Sequence, residues 1–228
     1  MGSIAQNLQA VKSRIAVAER AAGRAPGAVA LLAVSKTHPP ALIRQAYAAG
    51  QRAFGENYVQ EALDKMARLG DLRLEWHLVG PLQSNKTRAV AERFDWVHAV
   101  DREKVARRLG EQRPAGMAPL NVLVQVNASG EASKSGVAPA EVAALAAAIA
   151  AMRNLRLRGL MAIPEPGAPR SRFGEIGELF RDLRDAFGLD TLSLGMSDDM
   201  EAAIAAGSTL VRIGTAIFGE RRKVQDAA

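Results

Sequence analysis

The chain has 228 residues, a net charge of +6 and no cysteine. This length suits one large domain or two small ones, and it is sufficient to bury a substantial core. The lack of cysteine excludes disulfides, thiolate nucleophiles and cysteine metal sites. The three histidines, His38, His77 and His98, do not have the spacing of zinc ligands, which argues against a zinc enzyme.

The composition also bears on location and partners. The first residues carry charge throughout and lack the apolar segment of a signal peptide. No stretch approaches the roughly 20 apolar residues of a membrane span. We therefore expect a soluble cytoplasmic protein with no membrane partner. The positive charge favours anionic partners, either nucleic acid or a phosphorylated small molecule. The basic residues are scattered, however, and we favour solvated surface charge as their explanation.

The N-terminal segment is predicted to be an amphipathic helix, and a strand follows it. Apolar residues recur in the helix at spacings of three and four: Ile4, Leu8, Val11 and Ile15. The next apolar run, AVALLAVSK, is too short for a buried helix and indicates a buried strand that ends at Lys36. Pro39 and Pro40 then mark the entry of another helix. We expect the N-terminal helix to cover the bottom of the sheet structure.

Short apolar runs and amphipathic stretches alternate through the rest of the chain. Seven further strands are predicted, at 51–57, 75–80, 94–100, 121–127, 155–163, 191–197 and 210–219. Eight strands, each but the last followed by a helix, indicate a parallel α/β fold. The count of eight favours a closed (β/α)₈ TIM barrel over an open doubly wound sheet. We predict one domain over residues 1–228, with the N-terminal helix as an addition.

In a (β/α)₈ barrel the functional site is built where the strands end. The predicted ends carry one lysine, several hydrogen-bonding residues and glycines: Lys36, Asn57, residues 77–80, Asn127, Met161, Ser197, Gly214 and Thr215. This set suits an anionic ligand that has a carbonyl group. Lys36 follows a strongly apolar strand, where partial desolvation favours the neutral amine that Schiff-base chemistry requires. The alternative is a side chain that extends past the strand end into solvent.

The last two strands are followed by residues suited to phosphate. Ser197 precedes a predicted helix, so it could either cap that helix or bind phosphate oxygens together with backbone amides. Gly214 permits close approach of the backbone, and Thr215 supplies a hydroxyl. Ordinary helix capping and a strand-ending glycine explain the same residues.

Arg212 lies inside the apolar eighth strand, and a buried arginine needs partners. If its side chain points into the barrel mouth, it could donate a hydrogen bond to a ring nitrogen. Because a guanidinium keeps its proton, a pyridine nitrogen facing it would stay unprotonated, which weakens the ring as an electron sink. The alternative is a structural salt bridge to a glutamate or aspartate.

Seven motifs resemble, in order, those of pyridoxal 5′-phosphate (PLP) homeostasis proteins, the YggS/PROSC family. They are AVSKTHP, FGENYVQE, WHLVGPLQSNK, NASGEASKSG, GLMAI, LSLGMSDDMEAAIAAGST and VRIGTAIFG. The resemblance covers nearly the whole chain. It implies a single barrel related to the N-terminal domain of alanine racemases. It also implies a PLP-binding protein that carries or buffers the cofactor and supports vitamin B6 and amino-acid homeostasis, without robust catalysis.

The resemblance assigns roles to individual residues. Lys36 would form the Schiff base with PLP, Asn57 would lie beside its ring, and Arg212 would face its pyridine nitrogen. The phosphate would be held by Ser197, Gly214 and Thr215, and Met196 would line the pocket. In this family, a lysine at the position of Lys134 is linked to cofactor handling, although a solvated loop lysine is an equal alternative.

Three other positions give weaker indications of a role in the site. His38 stands where some bacterial members have a second lysine, so a role for that lysine as an alternative PLP acceptor is doubtful here. His77 belongs to a family motif near the site. For His77 and Asn127 we favour core packing or strand-end hydrogen bonding over ligand binding.

A PLP-dependent amino-acid racemase is the main alternative. Racemisation needs acid–base groups on both faces of the substrate. Related racemases supply a tyrosine from a second β-domain, which we do not expect here because few residues follow the eighth strand. Of the two tyrosines, Tyr47 and Tyr58, only Tyr58 lies close to a strand end.

Nucleic-acid binding is the third function we consider. It is disfavoured by the absence of a recognisable motif and by an aromatic content of only 4%. We expect a monomer whose possible protein partners are PLP-dependent apoenzymes.

Overall fold

Eight parallel strands close into a barrel in the computed structural model, which describes residues 2–130 and 135–220. The strands follow chain order around the barrel, and the first pairs with the last in parallel. They are β1 Ala30–Val34, β2 Ala53–Glu56, β3 Glu75–Leu78, β4 Trp96–Val100, β5 Leu120–Val126, β6 Leu155–Ala162, β7 Thr191–Ser193 and β8 Leu210–Ile213. The predicted (β/α)₈ barrel is confirmed.

Helices surround the barrel. In the described part of the chain they are α1 Ile4–Ala21, α2 Pro40–Ala48, α3 Val59–Arg68, α4 Thr87–Arg93, α5 Glu103–Gln112, α6 Val142–Ala150, α7 Arg170–Phe187, α8 Met200–Ala205 and α9 Thr215–Phe218. Single 3₁₀ turns precede α4 and α6. Within residues 2–130 and 135–220, no helix is both long enough and apolar enough to span a bilayer.

The core has two layers, as expected for strands that are buried on both faces. The larger layer lies between the strands and the helices, and it includes the apolar faces of most helices. A second, smaller cluster consists of strand residues alone: Trp96, Ala99, Leu123 and Met161. Side chains therefore fill the inside of the barrel, which makes it a packed core and not a pore.

The prediction that α1 covers the barrel bottom is wrong. Its apolar face packs against α2, α8 and α9 in the outer helix layer. Near its start, Asn7 donates a hydrogen bond of 2.8 Å to the carbonyl of Ile217 in α9. Just after its end, Arg24 donates to the carbonyls of Ile204 and Ser208. Because α9 has only four residues, it cannot cover the junction of β8 and β1, and α1 fills that place.

The last two strands are shorter than predicted. β8 ends at Ile213 and not at Gly219, because the following apolar residues form α9. Ile217 and Phe218 are buried on that helix, so their apolar character comes from helix packing. β7 ends at Ser193, and the residues up to Ser197 form the turn that precedes α8.

Candidate functional site

A cavity of about 550 Å³ opens where β1, β2, β7 and β8 end. All seven residues predicted for the site line it: Lys36, Asn57, Met196, Ser197, Arg212, Gly214 and Thr215. These residues are far apart in sequence and meet because the closed barrel places β1 beside both β2 and β8. The rule that strand ends build the site therefore predicted the correct face of the fold. The roles of the seven residues toward a ligand stay predictions.

A buried ionic cluster supports the segment that carries Lys36. Lys65, on α3, has only 5% of its side chain exposed. Its Nζ lies 2.7 Å from the backbone oxygen of Ser35 and 2.7 Å from a carboxylate oxygen of both Glu56 and Glu61. Burial raises the pKa of Glu56, and the positive charge of Lys65 opposes that shift. The cluster fixes the backbone immediately before Lys36.

The backbone immediately after Lys36 is fixed from the same side. The N–H of Thr37 donates to the Oε1 atom of Glu61 at 2.5 Å. Thr37 has a φ of 64°, a left-handed conformation that is unfavourable for a β-branched residue. This conformation is held in place by the hydrogen bond to Glu61, and strain of this kind is common at functional sites. Both neighbours of Lys36 are thus anchored by one cluster.

Arg212 is held by the barrel through its own side chain. Nη1 donates to the backbone oxygen and to Oγ of Ser193, both at 2.7 Å, and Nη2 donates to the carbonyl of Ala162 at 2.9 Å. Among the described residues, no carboxylate lies within ion-pair distance, so the salt bridge considered from sequence is not formed. Burial lowers the pKa of Arg212 to about 10, which leaves the guanidinium charged near neutral pH.

The turn after β7 differs from the sequence expectation. Helix α8 begins at Met200 with Asp199 in the N-cap position, so Ser197 does not cap it. The carboxylate of Asp199 instead accepts a hydrogen bond from the N–H of Met196. Helices α8 and α9 have six and four residues. Their dipoles are therefore small, and hydroxyls and backbone amides would carry most of the attraction for a phosphate.

Gly214 has a packing reason as well as a predicted binding role. A Cβ atom at this position would lie 3.1 Å from the carbonyl oxygen of Val34. Glycine therefore allows the end of β8 to approach β1 closely. Gly80 serves the β2–β3 junction in the same way, since a Cβ there would lie 2.3 Å from the backbone oxygen of Asn57.

Arg14 also lines the cavity and was missed from sequence, because its helix was placed below the barrel. It pairs with Glu201 at 2.8 Å and donates to the backbone oxygen of Ser197 at 3.2 Å. The described residues of the lining include two guanidinium groups, Arg14 and Arg212, the amine of Lys36 and one carboxylate, Asp198. This balance of charge favours an anionic ligand. No local pattern on α1 distinguishes Arg14 from its other basic residues.

The remaining candidates from the sequence lie in different places. Asn127 lines an adjoining cavity of about 330 Å³ and accepts hydrogen bonds from its own loop. Met161 is buried inside the barrel. The side chain of His77 is also buried there, which confirms the preference for core packing. His38 lines the main cavity and packs against Phe218 with ring centroids 5.2 Å apart. Lys134 lies outside the described residues.

Comparison with known proteins identifies the family. The family model for the N-terminal domain of alanine racemase matches residues 6–222. The pyridoxal phosphate homeostasis protein of Pseudomonas aeruginosa is 62% identical over 225 residues, which cover 97% of each chain. The chain belongs to the pyridoxal phosphate homeostasis protein family.

Solved structures give the same picture. PipY of Synechococcus elongatus PCC7942, in a structure without PLP, has 40% sequence identity and a TM-score of 0.85 over 95% of this chain and 100% of PipY. PipY with PLP bound has a TM-score of 0.83 and 38% identity over the same shares. An alanine racemase from Corynebacterium glutamicum shares the fold, with a TM-score of 0.67 at 18% identity. The match covers 97% of this chain and 62% of the racemase.

Proposed function

We propose that this chain binds PLP covalently through Lys36 and carries or buffers the cofactor, without robust catalysis. The proposal is carried by one observation: the cavity joins an amine, a charged guanidinium and hydroxyl groups in a member of this family. PLP has an aldehyde, a ring nitrogen and a phosphate. The cavity therefore has a matching group for each functional part of the cofactor.

The residues fit PLP in kind and in number. Lys36 would bond the aldehyde carbon, and Arg212 would donate to the ring nitrogen with N–H groups that Ser193 and Ala162 do not use. Ser197, Thr215 and the backbone at Gly214 would hold the phosphate, with Asn57 and Met196 beside the ring. The cavity volume of about 550 Å³ lies within the usual range for small-molecule sites.

The charged state of Arg212 bears on how the ring of bound PLP would behave, but it does not separate a carrier from a racemase, because the same environment suits racemases. Bound PLP supplies an electron-accepting ring, and this capacity is greatest when the ring nitrogen is protonated. Because Arg212 is charged near neutral pH, it donates a proton in hydrogen bonding but accepts none. The ring nitrogen that faces it would stay unprotonated.

The tyrosines are what favour the carrier over the racemase. Tyr58 is 59% exposed at the start of α3. Tyr47 packs under the guanidinium of Arg52, which lies 3.9 Å from the ring centroid. Neither belongs to the described lining of the cavity. The acid–base tyrosine that related racemases use is therefore not supplied by either residue in this arrangement.

The test is an absorbance spectrum of the purified protein with added PLP, followed by borohydride reduction and peptide mass mapping. We expect an absorption band of protein-bound PLP and one reduced adduct, on Lys36. Adducts confined to exposed lysines such as Lys86, or the lack of any band, would overturn the assignment. A racemase assay with L-alanine, in which we expect no conversion above background, separates the carrier from the enzyme.

The proposal includes a cytoplasmic monomer that delivers PLP to apoenzymes and does not bind nucleic acid. Incubating the loaded protein with a PLP-dependent apoenzyme should restore activity at least as fast as the same concentration of unbound PLP. Slower recovery would favour buffering over delivery. Size-exclusion chromatography with light scattering checks the oligomeric state.

A further inference from the structure

A line of five polar side chains crosses the inside of the barrel from Arg212 to the opposite end. Ser193 Oγ lies 2.7 Å from Arg212 Nη1 and 3.0 Å from His98 Nδ1. His98 Nε2 lies 2.9 Å from His77 Nδ1, and His77 Nε2 lies 2.8 Å from Glu75 Oε1. The four side chains from Arg212 to His77 are buried, whereas the side chain of Glu75 is 49% exposed. Glu75 begins β3, so it lies at the end of the barrel away from the cavity.

Chemistry fixes the direction of the hydrogen bonds at the Glu75 end. The hydrogen bond from His77 lowers the pKa of Glu75, so this carboxylate is an anion near neutral pH and can only accept. His77 must therefore carry a proton on Nε2. Burial lowers the pKa of His77, which favours the neutral ring, and its Nδ1 is then an acceptor.

The same reasoning continues to the cavity. His98 must donate from Nε2 to His77. Burial, with smaller contributions from His77 and Arg212, holds the pKa of His98 well below its usual value, so its Nδ1 accepts. Ser193 then donates its hydroxyl proton to His98 and accepts from Arg212, which can only donate. Every donor in the line points from the cation toward the anion, and every link is satisfied.

We infer that Glu75 is a positioning residue for Arg212, acting through the line Ser193–His98–His77. A buried cation needs compensation. The negative charge of Asp199 opposes the lowering of the Arg212 pKa by burial, and Glu75 is the anion at which the hydrogen-bonded line ends. A carboxylate placed directly against Arg212 would occupy its N–H groups and would cancel the positive charge of the cavity. The line supplies an ordered partner without either effect, and its members polarise one another in the low-dielectric interior.

Packing supports the same assignment. His77 is stacked on Trp96, with ring centroids 5.2 Å apart and an interplanar angle of 6°. This contact fixes the plane of the imidazole, so both ring nitrogens are held toward their partners. The insides of such barrels are usually filled by branched apolar residues, and four strands here contribute polar side chains instead. The value of Arg212 for PLP depends on the proposed function, whereas the line is a property of the polypeptide alone.

The first test is long-range ¹H–¹⁵N correlation NMR of the histidines in the protein without added PLP. We expect His77 and His98 to be neutral rings with the proton on Nε2. A charged ring at His98, or a proton on its Nδ1, would overturn the inference. Because the expected tautomers follow from contacts within the polypeptide, this result does not depend on the proposed function.

The second test compares Glu75→Gln with Glu75→Lys. Glutamine can still accept from His77, so the tautomers should be kept, whereas lysine can only donate and should move the His77 proton to Nδ1. In Glu75→Lys we also expect faster solvent exchange of the Arg212 guanidinium protons and about tenfold weaker PLP retention. Glu111→Lys, the same charge change at an exposed position of α5, serves as the control and should alter none of these.

Ser193→Ala provides an independent break in the line without a change of charge. We expect faster exchange of the Arg212 guanidinium protons and a PLP affinity that is several-fold lower, with the protein still folded. If Glu75→Lys leaves Arg212 exchange unchanged, the positioning role of Glu75 is wrong, even where Ser193→Ala, which removes a direct contact with Arg212, makes that exchange faster. If the Arg212 guanidinium protons exchange faster in the variants while the wild-type protein binds no PLP, the positioning role stands and the proposed function fails.

Discussion

Lys36 and Arg212 both line the cavity, yet the contacts described here anchor different parts of the two residues. Around Lys36 the anchors act on the backbone, through Lys65 on Ser35 and through Glu61 on Thr37. Around Arg212 the anchors act on the guanidinium itself. The difference matches the proposed chemistry. Fixed backbone on both sides of Lys36 sets where its amine can reach, and a fixed guanidinium suits a group that recognises a ring.

The largest expected effect is the loss of covalent PLP binding when Lys36 is replaced. Lys36→Ala should abolish the borohydride-reducible PLP adduct while leaving the barrel folded, because the side chain is at a strand end and outside the core. Mass spectrometry and far-ultraviolet circular dichroism measure the two properties. Lys86→Ala, at an exposed lysine, should retain the adduct. Reducible PLP in the Lys36 variant would show that another amine is the acceptor.

Lys65→Met tests the buried ionic cluster that anchors the backbone beside Lys36. The variant leaves Glu56 buried and without its cation, and removing one partner of such a pair costs about 3–5 kcal/mol. Urea unfolding would measure this loss. Lys104→Met, at an exposed site on α5, is the matched control and should change stability by less than about 0.5 kcal/mol. A loss below about 1 kcal/mol for Lys65→Met would contradict the anchoring role of the cluster.

The phosphate assignment predicts a smaller effect. Ser197→Ala or Thr215→Ala should each weaken PLP retention by about 1–3 kcal/mol, through loss of a charge-assisted hydrogen bond. Equilibrium dialysis of the protein with PLP would measure it, with Ser13→Ala on the exposed side of α1 as the control. Unchanged affinity in both variants would remove these hydroxyls from the site.

The smallest effect concerns backbone strain beside Lys36. Thr37→Asn should raise the free energy of unfolding by about 0.5 kcal/mol, because asparagine tolerates the left-handed conformation better than a β-branched residue. Thr37→Val keeps the branch and should bring no gain. Thermal unfolding compares the two variants. If Thr37→Asn lowers the free energy of unfolding, the threonine hydroxyl stabilises the fold by more than the left-handed conformation destabilises it.

Sequence patterns predicted the barrel because each buried strand is a short apolar run between polar turns, and β5 is the clearest example. The same signal failed at residues 214–219. An apolar run of a few residues has the same composition in a buried strand and in a one-turn buried helix, so composition alone cannot separate β8 from α9.

The sequence by itself determined the fold class and the face that carries the cavity, because strand ends are set by local patterns. Strand ends, the buried position of Arg212 and the family resemblance together identified seven of the lining residues. Only the tertiary structure decided the place of α1, the anchoring by Lys65 and the line from Glu75 to Arg212. Arg14 meets Glu201 across 187 positions of the chain, and His98 meets Ser193 across 95. Contacts of this kind depend on how the barrel closes, and no local periodicity encodes them.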